Sequence, residues 1–139
     1  GLILAGRAQA GQLPTLIVSP TPVIAAQWAS EVARFMTQVN VLHYRGPPVP
    51  YEDAAASALV GAIGAAELIL TDLGTIRKEF HYLDASQAGR SKRHASVSPL
   101  FEVKWRRIIV DEVQDVEGQA SNAATMLRQL RTAQRWGVS

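Results

Sequence analysis

IIVDEVQ, residues 108–114, is the stretch that decides the fold of this chain, because an apolar segment leads directly into two carboxylates. A short apolar run of this kind is typical of a buried strand in a parallel sheet. In open α/β sheets, ligands bind where the strands end. Asp111 and Glu112 are therefore candidate functional residues, although such a pair is also found in solvated turns and at helix starts.

Similar apolar runs alternate with helical stretches along the whole sequence. Strands are predicted at 15–20, 39–44, 67–72 and 106–112, and a fifth begins at 135. Helices are predicted between them at 22–36, 51–65, 73–80 and 120–130. Thr21 and Pro22 have the residue types of a helix N-cap and of a first helical position. This alternation predicts an α/β fold in which helices flank a parallel sheet.

The apolar residues of three helices recur at helical spacing, which predicts their buried faces. The residues expected to face inward are Ile24, Trp28, Val32 and Phe35 in the first helix, Leu59, Val60 and Ile63 in the second, and Ala124, Leu127 and either Met126 or Leu130 in the last. Residues 84–99 are polar and rich in Ser and Arg. Their length favours a flexible insertion loop.

The composition excludes several classes of protein and site. The chain has 139 residues, enough for one domain, and 47% of them are hydrophobic. It has no cysteine, which excludes thiolate metal sites and cysteine nucleophiles within this sequence. No run of 18 apolar residues predicts a membrane span. The net charge of +2 is too small to identify a nucleic-acid binder, and the three histidines lack the spacing of metal ligands.

Four stretches together resemble the Swi/Snf-type superfamily-two helicase family, and the resemblance covers nearly all of the chain. TLIVSPTPVIAAQWASEVARF (15–35) resembles the motif Ia region, and ELILTDLGTIRKEFHYLD (67–84) resembles the motif Ib segment. WRRIIVDEVQDVEG (105–118) resembles motif II, and RWGVS (135–139) resembles the approach to motif III. The resemblance implies the first RecA-like lobe of a helicase, an ATP-binding P-loop NTPase domain.

Within the family, the chain is most similar to the branch of helicases that also carry linker-histone, PHD and RING modules. RKEFHYLD (77–84), SPL (98–100), WRR (105–107) and DEVQDVEG (111–118) support this similarity. It implies a nuclear protein acting in chromatin remodelling or DNA repair. It also implies that the full protein is a ubiquitin ligase, which engages a ubiquitin-conjugating enzyme through a RING outside this sequence.

The resemblance also implies ATP and Mg²⁺ as cofactors. Asp111 would hold Mg²⁺ through water, and Glu112 would act as the general base that activates the attacking water. Gln114 would sense the γ-phosphate, and its alternative interpretation is a polar residue at a helix start. Ser139 would help to bind the nucleotide and relay its state to the DNA groove.

Double-stranded DNA or a nucleosome is the partner that the resemblance implies. Pro20, Thr71, Arg77 and Lys78 are the predicted DNA-binding residues, since backbone groups, hydroxyls and basic side chains suit phosphate contacts. A turn for Pro20 and a cap for Thr71 are equally consistent with the sequence. The basic residues at 90–94 form a solvated loop or touch phosphate, whereas Trp28 is interpreted as a core residue.

The sequence contains no GxxxxGK[ST] phosphate loop. The resemblance places that loop upstream and a second RecA-like lobe elsewhere in the same protein, so we expect residues 1–139 alone not to hydrolyse ATP. Two alternatives stay open. One is a degenerate RecA-like binding module without ATP turnover. The other is an RNA-dependent superfamily-two helicase, against which Gln27-Trp28 and Arg135-Trp136 argue.

Overall fold

The computed structural model describes residues 13–47, 52–79, 98–112 and 122–138. The strands are β1 (Thr15–Ser19), β2 (Val41–His43), β3 (Leu68–Asp72), β4 (Trp105–Asp111) and β5 (Thr132–Val138). The helices are α1 (Pro22–Phe35), α2 (Asp53–Ala65), α3 (73–79), α4 (Pro99–Glu102) and α5 (Asn122–Gln129). None of these described helices has the length and apolar character that crossing a bilayer requires.

The described strands form one parallel sheet in the order β2-β3-β1-β4-β5. β1 is the central strand, and all five of its residues are buried. Burial on both faces explains why TLIVS holds no charged residue and does not alternate between apolar and polar positions. The predicted α/β fold with a parallel sheet and flanking helices is confirmed.

Each face of the sheet has its own apolar cluster, because successive strand residues point to opposite faces. On one face, Leu16 and Ile108 pack with buried residues of α2, α4 and α5. On the other face, Ile17 and Ile109 pack with Val32 of α1. The predicted inward residues of α2 and α5 are confirmed, since Leu59, Val60, Ile63, Ala124, Met126, Leu127 and Leu130 all belong to the first cluster or pack against it.

The two ends of α1 differ in how well they were predicted. At its start, the Thr21 hydroxyl accepts a hydrogen bond from the Ile24 N–H at 3.3 Å, which confirms the N-cap. At its end, the inward position predicted for Phe35 is wrong, because this side chain is 67% exposed. Met36 lies four residues after Val32 and packs against the sheet instead. At about 100° per residue, Phe35 falls about 60° short of the Val32 position, and the chain leaves the helix at Met36.

Two further boundaries also differ from the predictions. The polar loop expected over 84–99 ends earlier, because Ser98 is the N-cap of α4 and Pro99 is its first residue, both buried. Residues 84–97 lie outside the described ranges. β5 begins at Thr132 rather than at residue 135. Its first residues are polar because β5 is the last of the described strands on its side of the sheet and is largely exposed.

Glu79, at the end of the described part of α3, is a fully buried carboxyl group. The Tyr44 hydroxyl, which follows β2, donates a hydrogen bond to its Oε1. Burial raises the pKa of Glu79 above its ordinary value of 4.5, while the hydrogen bonds with Ser98 and Tyr44 act in the opposite direction. Through the bond from Tyr44, this carboxyl of α3 is joined to the residue that follows β2.

The raised pKa of Glu79 predicts a dependence of stability on pH. A group whose pKa is higher in the folded state contributes stability below its unfolded pKa and loses that contribution as the pH rises through the folded value. Glu79→Gln should therefore flatten the fall in the free energy of unfolding between pH 4.5 and neutral pH. Urea unfolding of both forms across this range measures it. A Glu79→Gln profile that falls as steeply as that of the wild type would contradict the assignment.

Candidate functional site

The carboxyl ends of three neighbouring strands meet at one edge of the sheet. Val18 of β1 is paired with Thr71 of β3 on one side and with Val110 of β4 on the other. Pro20 and Asp111 therefore follow at nearly the same level, beyond the ends of these paired segments. The shared edge predicted for Pro20, Thr71 and Asp111 is confirmed.

Asp111 is held at this edge by a residue of α1. The indole N–H of Trp28 donates a hydrogen bond to Asp111 Oδ2 at 3.0 Å, although the two residues are 83 positions apart in the sequence. Both side chains are partly buried. Trp28 also packs against the cluster beneath α1, so its core interpretation is correct for the ring and incomplete for the N–H.

Glu112 directly follows β4 and has an unusual backbone. Its φ of 53° lies in the left-handed region, which costs a non-glycine residue roughly 1–2 kcal/mol. Non-glycine residues kept in such conformations occur preferentially at functional sites. The chain turns at Glu112, directly after the strand that ends at Asp111.

A cavity of about 460 Å³ opens beside the two carboxylates, which is large enough for a small ligand. Its described lining combines apolar and polar residues of α1 with the two acids at the end of β4, and consists of Pro20, Ile24, Gln27, Trp28, Glu31, Asp111 and Glu112. These seven residues carry three carboxylates and no basic side chain. Their charge attracts cations, so a polyanion would need a bound cation or basic groups from elsewhere in the protein.

Asp72 shows what a strand-end carboxylate does when its role is structural. It lies at the end of β3, and its two oxygens accept hydrogen bonds from the N–H of Thr75 at 3.0 Å and from its hydroxyl at 2.9 Å. Asp72 therefore caps α3. Asp111 lies at the same edge but is bound by an indole from a different element, beside the cavity.

The predicted DNA-binding residues differ in exposure. Arg77 and Lys78 lie on α3 and are exposed, and Pro20 is partly exposed. Thr71 is 2% exposed, and its hydroxyl donates to the Tyr44 carbonyl oxygen at 3.0 Å. This hydroxyl links β3 to the residue after β2, so Thr71 has a structural role, but the alternative of a cap is wrong because Asp72 caps α3. Its direct contact with DNA stays a prediction.

Three predicted features lie outside the described residues. These are Gln114, Ser139 and the basic stretch at 90–94. Gln27, whose role the sequence left open, is exposed and lines the cavity. The sequence analysis missed the bond between Trp28 and Asp111 and the burial of Glu79. The spacing of Leu73, Ile76 and Glu79 at three-residue intervals places Glu79 on the buried face of α3, a signal available in the sequence.

The described residues contain no group of three or more His, Cys, Asp or Glu side chains able to hold a metal ion. Magnesium does not need such a cage, because it keeps several waters and binds through one or two carboxylates together with substrate phosphates. A single fixed strand-end carboxylate, Asp111, with a second one beside it, fits this mode of binding.

Comparison with protein families places this edge in a known domain. The model for the SNF2-related domain matches residues 3–139. The chain belongs to the SNF2-related domain family. The motifs that resembled the Swi/Snf-type helicases therefore identified the family correctly, and the acidic pair after β4 lies within its ATPase domain.

Curated relatives of this SNF2-related chain include repair proteins and ubiquitin ligases. The chain is 29% identical over 128 residues to "DNA repair protein RAD5" of Mycosarcoma maydis, covering 90% of this chain and 9% of that protein. It is 32% identical over 136 residues to "E3 ubiquitin-protein ligase SHPRH" of Homo sapiens, covering 90% and 8%. The chain thus spans less than a tenth of the length of either relative. The predicted similarity to a ubiquitin-ligase helicase branch is confirmed.

Solved structures share the fold. The Sulfolobus solfataricus SWI2/SNF2 ATPase core in complex with dsDNA matches with a TM-score of 0.65 at 16% identity, over 99% of this chain and 23% of that chain. A second structure, the Sulfolobus solfataricus SWI2/SNF2 ATPase core domain, matches with a TM-score of 0.60 at 15% identity, over 99% of this chain and 22% of that chain. The expected RecA-like lobe is confirmed.

Proposed function

We propose that this chain is the part of a DNA-dependent SNF2-type ATPase lobe that carries the magnesium-binding and water-activating carboxylates. One observation supports the proposal above the others. Asp111 and Glu112 emerge together at the carboxyl edge of the sheet, beside a cavity, and Asp111 is fixed there by Trp28. In a domain of an ATPase family, this arrangement supplies two of the groups that phosphoryl transfer to water uses, a metal-binding carboxylate and a general base.

The two carboxylates have separate roles in this proposal. Asp111 orients the waters around Mg²⁺, and the ion, when bound, supplies positive charge that stabilises the phosphoryl oxygens during transfer. Glu112 accepts a proton from the attacking water at its carboxylate oxygen. In this proposal Gln114 senses the γ-phosphate, and Ser139 relays the state of the nucleotide to the DNA groove. Neither role has structural support from the described residues.

Double-stranded DNA is the proposed polymer, in preference to RNA, because of family membership. Arg77 and Lys78 place two exposed positive charges on the helix that follows β3, so they suit phosphate contacts that do not read sequence. Pro20 and Thr71 shape the same edge of the sheet. The second RecA-like lobe of the same protein is proposed as the other wall of the nucleotide site.

The test is ATP turnover by the full-length protein, measured as phosphate release against DNA concentration and salt. We expect double-stranded DNA to stimulate turnover. Lys78→Glu should raise the DNA concentration needed for half-maximal stimulation and lower the slope of log affinity against log salt by about 1, because one phosphate contact is lost. Lys104→Glu is the matched control, since this exposed lysine precedes β4 at the opposite edge of the sheet.

Two results would contradict this proposal at different levels. If Lys78→Glu and Lys104→Glu need the same DNA concentration for half-maximal stimulation and have the same salt slope, DNA does not contact α3 at Lys78. If the full-length wild-type protein binds nucleotide and releases no phosphate with or without DNA, the degenerate binding module is correct instead.

The role of the whole protein is proposed from its relatives. A function in DNA repair agrees with the name of the RAD5 relative, and a nuclear location and a role in chromatin remodelling are proposed with it. Ubiquitin ligation, with a ubiquitin-conjugating enzyme as partner, agrees with the name of the SHPRH relative. Both would depend on regions of the protein beyond residues 1–139.

A further inference from the structure

Trp28 makes a contact that packing does not require. It lies in the middle of α1, and its ring is partly buried against the cluster that Ile17, Val32 and Ile109 form under this helix. The ring edge carries the N–H that reaches Asp111 Oδ2 at 3.0 Å. An indole has a single hydrogen-bond donor and no acceptor, so this bond is directional and its polarity is fixed.

The bond restricts the carboxylate at the point where β4 ends. Without it, rotation of the Asp111 side chain would be limited only by its neighbours at the rim of the cavity. With it, Oδ2 is occupied and the orientation of Oδ1 is set by a ring that is itself held by the sheet and α1. The order of the elements makes this possible, because β1 and β4 are adjacent and α1 follows β1 directly.

We propose that Trp28 is a positioning residue for magnesium binding in this ATPase, acting through Asp111. The inference rests on the function proposed above. Trp28 is proposed as a positioning residue rather than a catalytic one, because its single N–H is used by Asp111 Oδ2. Groups that orient a metal ligand in this way typically change metal affinity or activity by about 10- to 100-fold when they are removed.

The experiment uses the full-length protein and removes the donor while keeping the ring. Trp28→Phe does this with some loss of volume. Benzothienylalanine at position 28 replaces the indole N–H by sulfur, so it removes the donor with almost no loss of volume. For each variant we measure the Mg²⁺ concentration that gives half-maximal ATP turnover. We also measure its affinity for ADP, once with Mg²⁺ and once in EDTA. We expect about a tenfold rise in the Mg²⁺ requirement, and no change in ADP affinity in EDTA.

Val32→Ala is the matched control for packing. Val32 lies one turn further along the same face of α1, is 5% exposed and belongs to the same cluster. This change loosens α1 without removing the bond to Asp111. It should lower the melting temperature and leave the Mg²⁺ requirement within about twofold of the wild type, because the ligand orientation is kept.

The outcomes separate this inference from the proposed function. If the benzothienylalanine protein keeps the wild-type Mg²⁺ requirement, Trp28 has a packing role only and the inference is wrong. The inference also fails if Val32→Ala raises the Mg²⁺ requirement as much as Trp28→Phe does. Full turnover by Glu112→Gln would instead overturn the proposed function, whatever the Trp28 variants show.

Discussion

Glu112→Gln should lower ATP turnover by the full-length protein by at least about 100-fold, because a positioned general base contributes roughly 10²- to 10⁴-fold to a rate. Glutamine keeps the length and hydrogen-bonding ends of the side chain but does not accept a proton from water. Binding of Mg²⁺ and nucleotide should persist, since Asp111 and its bond from Trp28 are unchanged. Single-turnover phosphate release and equilibrium nucleotide binding, measured on the same preparation, separate these two effects.

The backbone of Glu112 supplies a control that most active-site residues lack. Its φ of 53° suits glycine better than any other residue. Glu112→Gly should therefore abolish turnover like Glu112→Gln, and leave the free energy of unfolding equal to or up to about 1 kcal/mol above that of the wild type. Loss of turnover together with loss of stability in the glycine variant would show that Glu112 is a structural residue. Turnover retained by both variants would remove the general-base assignment.

The elements of this fold that could be predicted from sequence are those whose burial is complete or whose caps are local. TLIVS and RIIVD are uniformly apolar in their centres because they lie in the middle of a sheet that helices cover. Thr21 and Pro22 predicted the start of α1 because a cap acts within one turn. Ser98 and Pro99 are likewise the N-cap and the first residue of α4. They were predicted to belong to a loop because the residues before them are polar.

The parts of the site that could not be predicted depend on long-range geometry. The contact between Trp28 and Asp111 joins positions 83 residues apart, and no periodicity within either segment encodes it. It follows from the strand order, which places β1 beside β4. Similarly, LTD (70–72) and IVDE (109–112) both end strands in acids, and only the structure shows that Asp72 caps α3. The acidic character of the carboxyl edge was predictable, and the capping role of Asp72 was not.

Trp105→Ala should cause the largest loss of stability, about 3–5 kcal/mol, the usual range when a buried aromatic is truncated. Trp105 begins β4 and is fully buried, and its indole N–H donates to the Leu100 carbonyl oxygen at 3.1 Å. Trp105→Phe should cost roughly 1–3 kcal/mol, chiefly because that buried carbonyl loses its partner. Urea unfolding measures both. Val23→Ala, at a side chain that is 75% exposed, should change the free energy of unfolding by less than about 0.5 kcal/mol.

The position of Trp105 makes this a test of how the fold supports the site. β4 runs from Trp105 to Asp111, so the strand that presents the acids is anchored at its other end by this ring. If Trp105 acts only on stability, full-length Trp105→Phe protein should keep the wild-type turnover per folded molecule at low temperature. It should lose turnover at a lower denaturant concentration than the wild type does. A fall in turnover without a fall in unfolding free energy would mean instead that the start of β4 sets the geometry of Asp111 and Glu112 directly. A Trp105→Ala protein as stable as the wild type would show that β4 is not anchored at this residue.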